Sequence, residues 1–406
     1  MINTDYLYNP KAAKIYLRKK RFVDQKLGFQ ILANATVLPH LAKFPDTEKT
    51  LWAGFGGLVD KEGTPVEMSP QTAIYPPSEV KKVSEPTIFL GMFPGGWGHC
   101  ITYDLGRLWF FQSDEFRKEF KNCPVVCAPF FRRKMGGYDW IHTFPNFRRL
   151  FEILGINTDS IQAVTQPTQF EKLILPDSSF AVMRNIGLAF TAEYRETIDR
   201  IRHFAMKNRT PTSAKKVYYY HGRRQLGEER LAEYFKSKGY AIVQPEKFSV
   251  DEQLNILINT DNFASTLGSC AHNSVFLRDG AEVILIPRAA HFTGGYQQTI
   301  EQVHPLNVNY VDSTLSFFSG LRSLHCYIIS PQLKKFFGDE FKSYTFTDLR
   351  LFLNYAKYCL RNQMKINPDS VKHYGDVLPT FMSKIRKCRR LLAACKMPPD
   401  WEQNLF

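Results

Sequence analysis

Short apolar runs alternate with helix-patterned segments over residues 215–288. Val217 to Tyr220, Ala241 to Val243, Phe263 to Leu267 and Val283 to Ile286 read as buried strands. Gln225 to Lys238, stopped by Gly239, reads as a helix between the first two. Strand and helix in strict alternation predict a parallel α/β sheet. A similar unit precedes it. Thr87 to Met92, Pro124 to Ala128 and Ile161 to Thr165 read as strands, and PGGWGH as a glycine turn. Cys100 to Phe111, Phe147 to Leu154 (stopped by Gly155) and Ala192 to Lys207 read as helices. Residues 176–190 carry no clear period. Residues 1 to about 85 read as a basic, partly helical start followed by a Gly/Pro-rich, loop-like stretch.

The polar linker KNRTPTSAKK places a boundary near residue 210. The expected organisation is an α/β unit over 1–209, a second over 210–330, and a basic helical segment over 331–406. In that segment Phe381, Ile385, Cys388, Leu391, Leu392 and Cys395 recur every three to four residues with cations between them. This describes an amphipathic helix with a basic polar face, which either packs on the protein's own core or lies on an anionic membrane.

Composition narrows the partner. The 406 residues carry a formal net charge of +14, much of it in two clusters. One comprises Lys11, Lys14, Arg18, Lys19, Lys20, Arg21 and Lys26; the other comprises Lys384, Arg386, Lys387, Arg389, Arg390 and Lys396. Nucleic acid, an anionic membrane surface and polyanionic substrates all suit such a balance. The aromatic residues sit inside apolar strand and helix patterns and no nucleic-acid module is present, so a basic nucleic-acid-binding protein is the rival reading rather than the main one. No apolar run reaches the ~18–20 residues of a membrane span. The start lacks a secretory h-region, so a cytoplasmic protein is expected, with a peripheral place on the inner face of the cell membrane as the option its basic tail opens. The eight cysteines show no Cys-x-x-Cys and no zinc spacing, and are expected to be free thiols without a structural metal.

Three motifs carry chemistry. After the strand at Val217, His221-Gly222-Arg223-Arg224 falls at the sheet's carboxyl edge, where open α/β sheets bind ligands. Paired guanidinium groups beside a helix N-terminus suit a pyrophosphate and can stabilise a departing diphosphate without a metal. The alternative is a pair of surface ion pairs with Glu228 and Glu229. In STLGSCAHNSVF, Gly268 and Ser269 form a second phosphate or ribose cradle, and His272 and Asn273 either contact ligand or cap the helix. In FPGGWGHCITYDLGR, His99 opens a helix and is a candidate general base towards a hydroxyl, as is Asp104. Neither the dinucleotide fingerprint nor a Walker sequence occurs. No Asp-x-Asp pair occurs to hold a nucleotide through a divalent ion, so no cofactor or metal is expected.

As an ordered set these motifs resemble glycosyltransferase family 61, many of whose members build bacterial capsules and surface polysaccharides. The shared order is YYYHGRRQ, then EERLAEYFKSKGYAIVQPE, then FSVDEQLNIL, then a glycine turn and Asn-x-x-Phe. Glu246, Glu252, Gln253, Gly268, Asn273 and Phe276 fall where the pattern wants them, and His99 matches the family's histidine in GGWGHCITYDLGRLW. Leu267-Gly268-Ser269 stands where the family has His-Gly-Ala, and Leu285 stands for a glutamate. The resemblance implies two Rossmann-like domains facing a cleft, the GT-B type, and an inverting, metal-independent transfer. A nucleotide-sugar donor would bind the second domain and a glycan or lipid-linked glycan acceptor the first. His99 or Asp104 would take the acceptor proton. Arg223, Arg224, Gly268 and Ser269, with His272, Asn273, Glu252 and Gln253 nearby, would hold the donor. Another transferase on the same fold, fucosyl-type or a phosphotransferase, is the alternative.

Overall fold

The computed structural model describes residues 1–8, 19–42, 54–67, 72–132, 137–183, 187–222, 225–288, 295–319, 324–375 and 377–394. Two sheets organise the chain. Strand β1 (Ile2–Tyr6) is followed by β2 (Phe29–Leu41), β3 (Phe55–Val59), β4 (Pro65–Glu67), β5 (Lys81–Val83), β6 (Thr87–Phe93), β7 (Val125–Pro129), β8 (Ile161–Ala163) and β9 (Thr168–Pro176). The first sheet runs β4–β3–β2–β9–β6–β7–β8, with β5 also on β9. It is parallel across β9, β6, β7 and β8 but antiparallel across β4, β3, β2 and β9.

That antiparallel half is where the sequence reading departs from the structure. Residues expected to be loop-like form β3, whose FGGLV is buried throughout. The glycines there serve close strand approach rather than a turn: at Gly56, with φ +137°, a Cβ would lie 3.0 Å from Pro39 O and 3.1 Å from His40 Cα. Within residues 176–190, β10 (Phe180–Met183) and β11 (Gly187–Phe190) pair antiparallel, in register from Phe180↔Phe190 to Met183↔Gly187.

The second sheet contains β12 (Lys216–Tyr219), β13 (Ala241–Val243), β14 (Asn262–Thr266), β15 (Glu282–Ile286) and β16 (Asn307–Val311). Its order is β13–β12–β14–β15–β16–β1, with every pairing parallel. The α/β expectation therefore holds. The first strand of the chain crosses to this sheet, Ile2 pairing with Val308. Alternate residues feed opposite layers, as the period of two requires. Tyr218, Ala264, Ile284 and Ile286 pack under α4 (Glu228–Ser237). Val217, Tyr219, Phe263 and Val283 pack under α5 (Val250–Asn259).

That second layer is continuous with the core of the first sheet. Leu90, Cys127 and Ile174 join it, and the long helix α3 (Ala192–Lys207) contributes Tyr194, Ile198 and Ile201. Helices α1 (Trp97–Thr102) and α2 (Pro145–Ile153) complete it from the first unit. Part of the N-terminal basic cluster is structural. Arg21 is 4 % exposed and donates to Gln298 Oε1 at 2.9 Å and to Leu188 O. Lys11, Lys14 and Arg18 lie outside the described residues.

After α7 (Pro331–Phe336), the C-terminal segment forms a separate cluster built by α8 (Phe346–Arg361) and α9 (Val377–Ala394). Phe381 is fully buried and stacks on Phe352 at 4.7 Å and on Tyr344 at 5.0 Å. Removing such a ring costs ~3–5 kcal/mol, so the start of α9, at Val377 and Phe381, is committed to the protein's own core. Cys395 and Lys396 lie outside the described residues, as do the side chains of Cys388, Arg389, Arg390, Leu391 and Leu392.

Candidate active site

In the second sheet the chain runs from β12 outward to β13, then returns to the other flank of β12 as β14. Sheets of this kind open a crevice at the carboxyl ends of the two strands where the order reverses. The loops after β12 and β14 meet there. After β12, Gly222 takes φ +63°, and a Cβ would stand 2.7 Å from Glu246 Oε1. Arg223 and Arg224 follow it and lie outside the described residues. After β14, Gly268 takes φ +134° and precedes the short helix α6 (Ser269–His272). A Cβ on Gly268 would overlap the guanidinium of Arg288, which arrives from the next loop, two residues past β15. The crevice thus holds a cation that sequence reasoning missed.

Beneath Arg288 lies Glu228, the first residue of α4 and fully buried. Burial pushes its carboxyl up to about 7, against Arg288, the His221 backbone N–H and Thr266, which all favour its charged form. Thr266 Oγ1 donates to Oε1 at 3.3 Å, and Oε2 has no partner. Arg288 also bonds Tyr327, and its Nε is buried without a partner. His325 Nδ1 meets Arg288 O at 3.1 Å.

The first unit faces this crevice through α1. Gly98 lies against α6: a Cβ there would be 2.9 Å from Ser269 Oγ and 3.1 Å from His272 Cδ2. Trp97 Nε1 donates to Asn273 Oδ1 at 2.9 Å. This contact sets His99 and His272 on facing elements, close enough for the charge of one to lower the pKa of the other. Burial holds the His99 pKa below the usual histidine value, and Arg132 adds to the effect. Burial takes His272 down to about 4. Its Nδ1 lies 2.9 Å from Gln297 Oε1, while Gln297 Nε2 donates to Ser274 Oγ. That orientation puts the His272 proton on Nδ1 and the lone pair on Nε2. Both imidazoles are therefore neutral at pH 7. His99 packs on Tyr103 at 5.9 Å, and Tyr103 and Phe180 line an adjoining cleft of about 510 Å³ with Arg107 and Asp177.

Other residues singled out in the sequence sit elsewhere or are already engaged. Asp104 is 1 % exposed among core residues, with both oxygens unpartnered, and burial raises its pKa well above the usual range. The α-helical turn breaks after Thr102, and a 3-10 segment over Asp104–Gln112 turns this carboxyl inward towards Cys100 and Cys127. Asn273 is fully buried and bonds Trp97 and the Cys270 carbonyl. Glu252 closes a capping box with Ser249 at the head of α5. Gln253 donates to Phe248 O at 2.9 Å. Among the described residues, no group of three or more His, Cys, Asp or Glu is placed to hold a metal ion.

Residues 97–284 match the family model described as Glycosyltransferase 61. The chain carries a glycosyltransferase 61 domain. This makes it a glycosyltransferase, an enzyme acting between a sugar donor and an acceptor. The glycosyltransferase 61 match spans α1, α6 and the β12–β14 crevice; Arg288 lies just beyond it. No curated protein matches the chain.

Proposed function

We propose that the chain is an inverting, GT-B-type glycosyltransferase. It moves a sugar from a nucleotide-sugar donor to a hydroxyl of a glycan or lipid-linked glycan, in the synthesis of bacterial capsule, O-antigen or lipooligosaccharide. The observation that carries this reading is the convergence at one crevice of Gly222, Gly268, Ser269 and Arg288, with His99 facing it from the other sheet. The donor diphosphate lies in that crevice, held by Arg223, Arg224 and Arg288 rather than by a metal. The acceptor occupies the cleft beside Tyr103 and Phe180. Its hydroxyl oxygen attacks the anomeric carbon while His99 takes the proton. The bond to the phosphate oxygen breaks, and its electron pair leaves with the diphosphate, whose charge the arginines stabilise.

A thermal-shift screen against nucleoside diphosphates, with and without EDTA, tests the donor site. One nucleotide is expected to stabilise the protein by ~2.7 kcal/mol at 100 times its Kd, equally in chelator; no stabilisation by any of them would remove the reading. The base is tested separately. His99 is needed neutral and its pKa is lowered, so the acid limb of kcat/KM is expected below pH 6.5. His99→Ala should reduce kcat by ~10²–10⁴-fold and leave nucleotide stabilisation intact. A limb above pH 6.5, or an active variant, would take the role away from His99.

A further inference from the structure

We propose that the outward face of α8 docks on an anionic membrane surface. Helix α8 leaves three large apolar side chains in water: Phe346 is 71 % exposed, Leu353 44 % and Leu360 69 %. They are seven residues apart, two helical turns, and so form one line along the helix. Arg350, Lys357 and Arg361 interleave with them on the same side; Arg350 and Arg361 are exposed and Lys357 half-buried. The opposite side is filled: Leu349, Phe352, Tyr355 and Cys359 are buried in the C-terminal cluster. The single carboxylate of α8, Asp348, is 2 % exposed. It accepts from Arg230 at 2.6 Å and from the Thr345 backbone N–H at 2.6 Å. The outward face therefore combines exposed apolar side chains with cations such as Arg350 and Lys357, while the helix's own carboxylate is turned into the protein. Just past the helix, Lys365 and Ile366 are exposed as well, Ile366 to 62 %.

Charge chooses the occupant. Phenylalanine and leucine can enter the boundary between headgroups and acyl chains, while the long cationic side chains keep their charged ends at the phosphates. A nucleic acid would find phosphate partners here, but only Phe346 on this line offers a ring for a base to stack on. At the start of α9, Phe381 is spent on Phe352 and Tyr344, whereas the apolar line of α8 is exposed. No helix among the described residues is long and apolar enough to cross a membrane, so the contact is with its surface.

The test is sedimentation of the full chain with vesicles of phosphatidylcholine, alone or mixed with phosphatidylglycerol. The protein is expected to follow only the anionic vesicles and to release in high salt. Leu353→Glu/Leu360→Glu and Arg350→Glu/Lys357→Glu should each lower partitioning at least about tenfold. Both double variants should keep the wild-type melting temperature and nucleotide stabilisation, which separates this surface from the donor site. Wild-type protein that ignores both vesicle types overturns the proposal, as do variants that bind like wild type. Binding lost only when residues 395–406 are removed puts the contact in that tail and overturns it too. A dimer broken by the leucine variants, with no vesicle binding, makes the face a self-association surface instead.

Discussion

Arg288→Ala is expected to lower turnover by ~10²–10³-fold, the usual effect of removing one donor aimed at developing charge, and to weaken nucleoside diphosphate binding with it. The guanidinium occupies the space that Gly268 leaves by lacking a Cβ, at the reversal point of the second sheet. An anion entering between the β12 and β14 loops meets it there. The competing role for Arg288 is as counter-ion to buried Glu228, and the two roles separate in a double-variant cycle. If the arginine only neutralises Glu228, Arg288→Ala loses stability and Glu228→Gln restores both stability and activity. If it holds the diphosphate, Glu228→Gln restores no activity. Steady-state kinetics and urea denaturation of the four proteins decide between them.

Asp104→Asn should stabilise the protein at neutral and alkaline pH and leave turnover unchanged. The carboxyl is buried without a partner, so its folded pKa lies above its unfolded one. A raised pKa gives stability that is fully present below the unfolded value near 4 and lost as pH rises through the folded value. The loss runs at up to ~1.4 kcal/mol per pH unit for the one proton involved. Asparagine has no such slope. The stability difference between variant and wild type should therefore open above pH 4 and grow until the folded carboxyl ionises. Glu228 and Glu301, pushed up to about 7 and about 8, add slopes of the same sign, but both proteins share them and they cancel in the difference. Urea midpoints at several pH values measure it. A variant that folds but does not turn over would return Asp104 to the list of catalytic bases.

The contrast between these two residues shows what a chain reveals before it folds. Ala192–Lys207 is legible to the residue, because its apolar positions at helical spacing face a core on one side only. Strands β6, β7, β12, β14 and β15 are legible because both of their faces are buried, which leaves continuous apolar runs. The glycine-rich β3 hid behind turn chemistry, since nothing local distinguishes a glycine in a turn from one that lets strands approach. In the site, the glycine cradle at Gly268 and His99 at the head of a helix are local features and could be read as such. Arg288 could not: a single arginine after Pro287 has no pattern, and only the β14–β15 pairing brings it over Gly268. Asp104 misled for the converse reason. Its place a turn and a half past His99 offered a second carboxyl base beside the histidine, but the 3-10 segment that begins at Asp104 buries it in the core. Asn273 and Glu252 are polar groups whose nearest obligations are helix ends and a tryptophan N–H.

A structure of the protein with a nucleoside diphosphate bound measures the donor site most directly. Phosphate oxygens should lie in the crevice between the β12 and β14 loops, bonded to the Arg288 guanidinium and to backbone N–H groups after Gly268. A nucleotide seated away from that crevice, with Arg288 still turned onto Glu228 and Tyr327, would contradict the assignment.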